Sequence, residues 1–294
     1  MSALAALISL SGLLDLASEA EVRMRMDADA AAGRPLVAHV IVALCDNVHQ
    51  GIVPVKARLG NGRDPANNLY WGALYGVKRF FTSEAGWRRI RVESGAAPIP
   101  EGVLERAVLH KRLVRGDKPI DAYVVAEAWE GSRIEKATAR FLRLAAGERA
   151  ERLAVRRGKG RIELLTGGHS HLIVYTGHDG LMDFEPPVRP EQASGAPARS
   201  VAILACLSRE YFEALLARAG AHPLLLTCSL MPPEAYTSAA LIDSWFGGAS
   251  EERARERAAR AFARYQKCSR DAARRIFCIT RRPPGSAPAS VRAP

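Results

Sequence analysis

The sequence predicts an α/β fold built on a largely parallel, doubly wound sheet flanked by helices, and two patterns predict it. Apolar, β-branched runs of strand length recur at LVAHVIVAL (36–44), AYVVAEAW (122–129), LIVYT (172–176), VAILA (201–205) and PLLLT (223–227). Runs of this kind are how strands buried on both faces read. Between them stand longer stretches with helical spacing. Strands that alternate with helices argue for parallel pairing, because a parallel connection must cross back over the sheet. With 294 residues, 48% of them hydrophobic and 25% charged, the chain is expected to fold as one soluble domain with a substantial core. No stretch reaches the roughly 18 unbroken apolar residues of a membrane helix.

In chain order, residues 1–33 read as an N-terminal helical segment, 34–280 as the α/β domain and 281–294 as a disordered tail. ALAALISLSGLL (3–14) has the apolar core of a signal peptide and SEA (18–20) a small-residue cleavage pattern, but no Lys or Arg precedes Arg23. The basic leader is therefore missing. The expectation is a cytoplasmic protein, with export as the alternative. The first strand ends at Cys45-Asp46-Asn47 and is followed by a loop punctuated by Gly51, Pro54, Gly60, Gly62 and Pro65. Within it GNGRDPANN (60–68) has neither GxxxxGK[ST] nor GxGxxG, so no nucleotide site is expected.

Asp64 or Asn67 would cap a helix over LYWGALYGVKRFF (69–81), with Trp71, Leu74, Tyr75 and Phe81 as core positions. WRRIRVES (87–94) alternates like an exposed strand, and PEGVLERAVLHKRL (100–113) reads as a helix with Pro100 near its start. In SRIEKATARFLRLAAG (132–147), Ser132 and Glu135 have capping-box spacing and Gly147 supplies the stop. Further helices are expected over 209–220, 233–246 and 251–277. In the last of these, Ala258, Ala261, Phe262, Tyr265, Ala272 and Phe277 form an apolar stripe and the arginines face outward.

Lys and Arg outnumber Asp and Glu by 42 to 31, giving a net charge of +11. Much of that excess sits in the arginine-dense C-terminal helix, where a solvated face explains it without a nucleic-acid partner. The five cysteines, Cys45, Cys206, Cys228, Cys268 and Cys278, are odd in number and irregularly spaced, so no disulfide framework is expected. His169 and His171, in HSH, offer two ligands on one strand face, but His169 lies at the wrong end of its strand for a zinc site beside Cys206. No metal or cofactor is expected.

Two of the strands stop at reactive side chains. LIVYTGHDG ends on His178 and VAILACLS on Cys206, each one or two residues past the carboxyl end of a parallel strand, which is where α/β sheets build their sites. The connection EPPVRPEQASGAPAR is too rich in Pro and Gly for a long helix, so the strands are expected to be neighbours. A thiol is a good nucleophile only as thiolate, and an adjacent imidazole takes its proton or protonates the leaving group. The helix beginning at Ser208 would lower the pKa of Cys206 through its N-terminal dipole. The backbone N–H groups of Gly180 and Cys206 would form an oxyanion hole.

An apolar strand ending in GHDG, followed by one ending in ACLS, resembles the two signature blocks of the caspase-like cysteine peptidases, the superfamily of caspases, metacaspases, legumain, gingipains and separase. The resemblance covers about residues 36–245 in architecture and rests on these two short motifs. It implies a cysteine endopeptidase acting on protein or peptide substrates, with Cys206 as nucleophile and His178 as general acid and base. It departs from the usual pattern at Asp179, which separates His178 from Gly180. In such folds, loops after the first strand and after the strand following the nucleophile form the specificity pocket. Here they begin at Cys45-Asp46 and at Thr227-Cys228-Ser229. Asp46 at that place would favour Arg or Lys before the scissile bond, unless it caps a turn through its own backbone. The alternatives are a catalytically inactive module of the same fold that binds a protein partner, or a cysteine-dependent amidase or acyltransferase.

Overall fold

The computed structural model describes residues 17–90, 98–157 and 160–279. The signal-like stretch 3–14, the end of the strand expected over 87–94 and the tail 281–294 lie outside the described residues. The core is a mixed sheet of seven strands in the order β2-β3-β4-β1-β7-β8-β9. Its parallel part comprises β4 (Lys118–Trp129), β1 (Leu36–Ala43), β7 (Leu172–Thr176), β8 (Ser200–Leu204) and β9 (His222–Leu225). β3 (Val103–Arg115) and β2 (Arg88–Ile90) add an antiparallel edge.

Side-chain alternation along the strands divides the core between the two faces. Leu36, Ala38, Val40 and Val42 of β1 pack with α1 (Glu19–Ala31), α2 (Val77–Ser83), α5 (Ala235–Phe246), α6 (Glu251–Gln266) and α7 (Arg270–Ile276). Ile41 and Ala43 pack on the other face with α3 (Ile134–Ala145) and α4 (Ser208–Ala219). Helices therefore cover both faces, as the alternating pattern predicts.

Three expectations need correction. Where a helix over 100–113 is expected, Val103–Arg115 form β3: Gly116-Asp117, with Gly116 at φ +59°, turns the chain directly into the antiparallel partner β4. A Gly-Asp turn between two β-forming runs is a hairpin signal that outweighs the local helical spacing. Residues 69–76 are consecutive turns, and only Val77–Ser83 is helical. The chain there folds back so tightly that a Cβ on Gly76 would lie 2.5 Å from the Trp71 backbone. The last helix is two helices, α6 and α7, broken at Lys267 with φ +52°.

Two details were not expected. β5 (Ala150–Arg157) and β6 (Gly160–Gly167) form a separate hairpin that packs Leu153, Val155 and Leu164 over Val37, Val108, Tyr123 and Val125. Ser132 caps no helix: its hydroxyl donates to Glu130, and α3 begins after a short 3-10 turn. The cysteine expectation is also corrected, because Cys228 and Cys278 form a disulfide. Cys45, Cys206 and Cys268 are free thiols. Among the described residues no helix is long and apolar enough to cross a membrane.

Candidate active site

β7 and β8 pair in parallel, Leu172 with Ser200 through Thr176 with Leu204. His178 and Cys206 each lie two residues beyond the last pair, at the carboxyl ends of two adjacent parallel strands. Gly177 keeps the two chains together at this point, its N–H donating to the Leu204 carbonyl at 3.3 Å. At φ +147°, a Cβ on Gly177 would stand 2.8 Å from the Ala43 carbonyl, so only glycine lets the chain pass the end of β1 this closely.

His178 is buried, and its orientation comes from a residue that sequence reasoning missed. Nε2 lies 2.7 Å from Oδ2 of Asp183, and the same oxygen accepts the Gly51 N–H at 3.0 Å. Asp183 directly follows the 3-10 turn Gly180–Met182, which returns the chain beneath the imidazole. The buried Tyr175 hydroxyl donates to the His178 carbonyl at 2.9 Å and holds the backbone of that turn. Nδ1 of His178 has no hydrogen-bond partner among the described residues. An aspartate on one ring nitrogen with the other left open is the arrangement a proton carrier needs.

Cys206 is half-buried at the tip of the turn between β8 and α4. Thr227 and Ser208 lock that turn. The Thr227 hydroxyl donates to the Ala205 carbonyl, the Ser208 N–H donates to Thr227 Oγ1 at 3.0 Å, and the Thr227 N–H donates to Ser208 Oγ at 3.0 Å. Leu207, at φ +51°, completes the turn and donates its N–H to the Ser229 carbonyl at 3.1 Å. The sulfur faces the backbone of Met231, whose N–H lies 3.5 Å and whose carbonyl 3.6 Å from Sγ.

The lowering of the Cys206 thiol expected from the sequence is not found. Burial pushes the thiol pKa up, the Met231 N–H works against that rise, and the nearby Asp179 carboxylate adds to it. The resting thiol is therefore protonated at neutral pH. The backbone N–H groups of Asp179, Gly180 and Cys206 donate to no group among the described residues.

The other anticipated residues take different places. Gly180 is buried against Phe184 and Ile134, where a Cβ would come within 2.4 Å of the Phe184 ring. Asp179, the departure from the caspase-like pattern, turns inward and caps the 3-10 turn through the Leu181 N–H at 3.0 Å. Its second oxygen has no hydrogen-bond partner among the described residues, and burial pushes its pKa up to about 7. Asp46 takes the capping role weighed against substrate binding: Oδ1 accepts the Val48 and His49 N–H groups, and Oδ2 pairs with the His49 ring at 2.9 Å.

Cys45 is a core residue rather than a pocket wall. It is fully buried, joined to Asn68 through both backbone groups, and burial pushes its thiol up to about 11. Thr227 is buried behind the Cys206 turn, and Cys228 is spent in the disulfide. Of the anticipated substrate-binding residues, Cys228 and Ser229 are exposed, and of these two only Ser229 is free of the disulfide.

His171 lies at the far end of β7 and is bound by Asp29 and Val37. No group of His, Cys, Asp or Glu able to hold a metal occurs among the described residues. The signal for Asp183 was present in the sequence as an acid five residues after His178, but only the 3-10 turn brings the two together. Met231 acts through its backbone, which no side-chain pattern reveals. Compared with known protein families, curated proteins and solved structures, the chain matches none.

Proposed function

We propose that the protein is a caspase-like cysteine endopeptidase that uses Cys206 and His178 as a dyad. The observation that carries the reading is the equivalent position of the two residues beyond one parallel strand pair, combined with an imidazole that Asp183 holds through Nε2 and that keeps Nδ1 open. In the proposed cycle Nδ1 takes the Cys206 proton as the sulfur attacks the peptide carbonyl. The developing oxyanion is met by the N–H groups of Gly180 and Cys206. His178 then protonates the leaving amine, and the thioester is hydrolysed by water activated on the same ring. Asp183 holds the proton on Nε2 and stabilises the imidazolium.

Asp46 is engaged by its own turn, so the reading carries no preference for a basic residue before the scissile bond. The substrate class is protein or peptide; no nucleic-acid partner is proposed. The Cys228–Cys278 disulfide favours an oxidising compartment over the cytoplasm.

One observation favours the second reading, an inactive module that binds a protein partner: burial pushes the Cys206 thiol up, away from the thiolate. Assay of the purified protein on a mixed fluorogenic peptide library separates the two. The peptidase reading expects hydrolysis by the wild type and none by Cys206→Ala or His178→Ala of unchanged melting temperature. Turnover retained by folded Cys206→Ala contradicts the mechanism, and a silent wild type favours the binding module.

A further inference from the structure

The segment after β9 meets the Cys206 turn and the start of α4 at three points. The Thr227 carbonyl accepts the Arg209 N–H at 3.0 Å, the Ser229 carbonyl accepts the Leu207 N–H at 3.1 Å, and Met231 brackets the Cys206 sulfur with its N–H and carbonyl. Only a short exposed stretch, Cys228 to Leu230, lies between the buried Thr227 and Met231. What fixes it comes from the far end of the chain. Cys228 is bonded to Cys278, 50 residues on, and the Cys228 N–H donates to the Ile276 carbonyl at 2.7 Å. The loop that covers the nucleophile is therefore tied to the end of α7, which packs on the domain through Ala273 and Phe277.

Cys228 is exposed, and Cys278 lines a surface pocket with Arg209, Glu213, Leu226 and Arg255. A thiol reductant can reach both sulfurs without opening the core. Solvent-reachable disulfides are the labile and regulatory kind, in contrast to buried ones.

We propose that the Cys228–Cys278 disulfide is a redox latch on the Cys206 site: bonded, it holds the 228–231 loop over the nucleophile, and its reduction by a dithiol releases the loop and switches turnover off. This regulation rests on the peptidase reading. In the step one thiolate of the dithiol attacks a sulfur of the pair, the second displaces the mixed disulfide, and two electrons and two protons pass to Cys228 and Cys278 as the dithiol closes to a cyclic disulfide. Turnover would then belong to oxidising surroundings and cease in reducing ones, the reverse of a cysteine enzyme whose only redox demand is a reduced nucleophile. Opening the loop has a second consequence. It removes Met231 from the sulfur, so Cys206 becomes more reachable to a small alkylating agent while losing its catalytic setting.

The test compares wild type with Cys228→Ser/Cys278→Ser and follows both peptide turnover and the rate at which iodoacetamide modifies Cys206, located by peptide mapping. The expected result is turnover about tenfold lower and Cys206 modification about fivefold faster in the double variant, with the circular dichroism spectrum unchanged. If the double variant does not fold, dithiothreitol titration of the wild type replaces it: turnover is expected to fall in the same step as the disulfide is lost by mass, with iodoacetamide added after the reductant is removed. Unchanged turnover and unchanged Cys206 modification on loss of the disulfide overturn the latch. If no form hydrolyses peptide, the peptidase reading fails, and the change in Cys206 modification alone still decides whether the disulfide controls the loop.

Discussion

Strand β7 has a histidine–aspartate pair at each end, and the two differ in what the second ring nitrogen does. At the amino end His171 Nε2 lies 2.7 Å from Asp29 Oδ2, and at the carboxyl end His178 Nε2 lies 2.7 Å from Asp183 Oδ2. His171 Nδ1 accepts the Val37 N–H at 3.1 Å, so both nitrogens are occupied, and burial holds its pKa down at about 4. That ring is a neutral clamp between α1 and the sheet. His178 uses one nitrogen for its aspartate, and its Nδ1 has no hydrogen-bond partner among the described residues. An identical short contact is therefore structural at one end of the strand and chemically available at the other. The pair alone does not identify a proton carrier; the proposed role of His178 rests on its unoccupied nitrogen and on its place at the end of the strand paired with the one that leads to Cys206.

The sharpest way to break this comparison is to remove each histidine. His178→Ala and Cys206→Ala are each expected to lower peptide turnover by about 10^4-fold with little change in melting temperature. His171→Ala should leave the turnover of the folded fraction near wild type while lowering stability by about 1–3 kcal/mol, the cost of leaving buried polar partners unsatisfied. Chemical denaturation beside the peptide assay separates the two outcomes. Equal loss of turnover in folded His171→Ala would erase the distinction.

The aspartates come next. Asp183→Asn keeps the side-chain shape but removes the charge that favours the imidazolium. It is expected to lower kcat by about 10- to 100-fold, with KM little changed, and to alter the acidic limb of the pH–kcat profile. Asp29→Asn should leave kcat untouched. A kcat for Asp183→Asn within twofold of wild type would remove Asp183 from the account.

Smaller effects lie in the pH dependence of stability. The folded pKa of His171, about 4, is below its ordinary 6.5, so the unfolded chain binds more protons between those values and stability falls as pH drops through that window. Asp29 is held well below the carboxylate range by His171, so its contribution persists above its ordinary 3.8 and is lost only in stronger acid. Asp179 has the opposite sign. Burial raises it from 3.8 to about 7, so the folded chain binds the extra proton and stability falls as pH rises through that interval. Melting curves between pH 4 and 7 should therefore show His171→Ala flatter than wild type on the acid side. They should also show Asp179→Asn gaining on wild type toward pH 7, and no divergence on either side would contradict both assignments. The smallest expected effect is from Arg253→Glu, Arg257→Glu and Arg260→Glu together. These exposed residues of α6 should change turnover by less than twofold, and a larger change at unaltered stability would give the basic face a role in catalysis.

The parallel strands and both strand-end residues were legible because unbroken apolar runs announce buried strands and because β7 and β8 stop so near His178 and Cys206. β3 was not legible: VLERAVLHKRL has helical spacing, and only its pairing with β4 across Gly116-Asp117 makes it a strand. Asp46 was readable as either a pocket acid or a turn cap, and sequence position alone does not say where a short carboxylate turns. Thr227 and Cys228 were readable as loop residues after a strand, but one is a buried brace of the Cys206 turn and the other half of a disulfide whose partner lies 50 residues away. Asp183 and Met231 act through a 3-10 turn and a backbone approach, contacts that exist only once the strands are side by side.

The central claim is that His178 and Cys206 act on each other, and the pH dependence of Cys206 alkylation by iodoacetamide tests it most directly. In the wild type a reactive limb below the ordinary thiol range is expected, because proton transfer to His178 generates thiolate where the buried sulfur alone would stay protonated. In folded His178→Ala that limb should vanish, leaving a single midpoint above 9.0, the ordinary thiol value from which burial raises Cys206. Identical profiles in the two proteins would contradict the pairing.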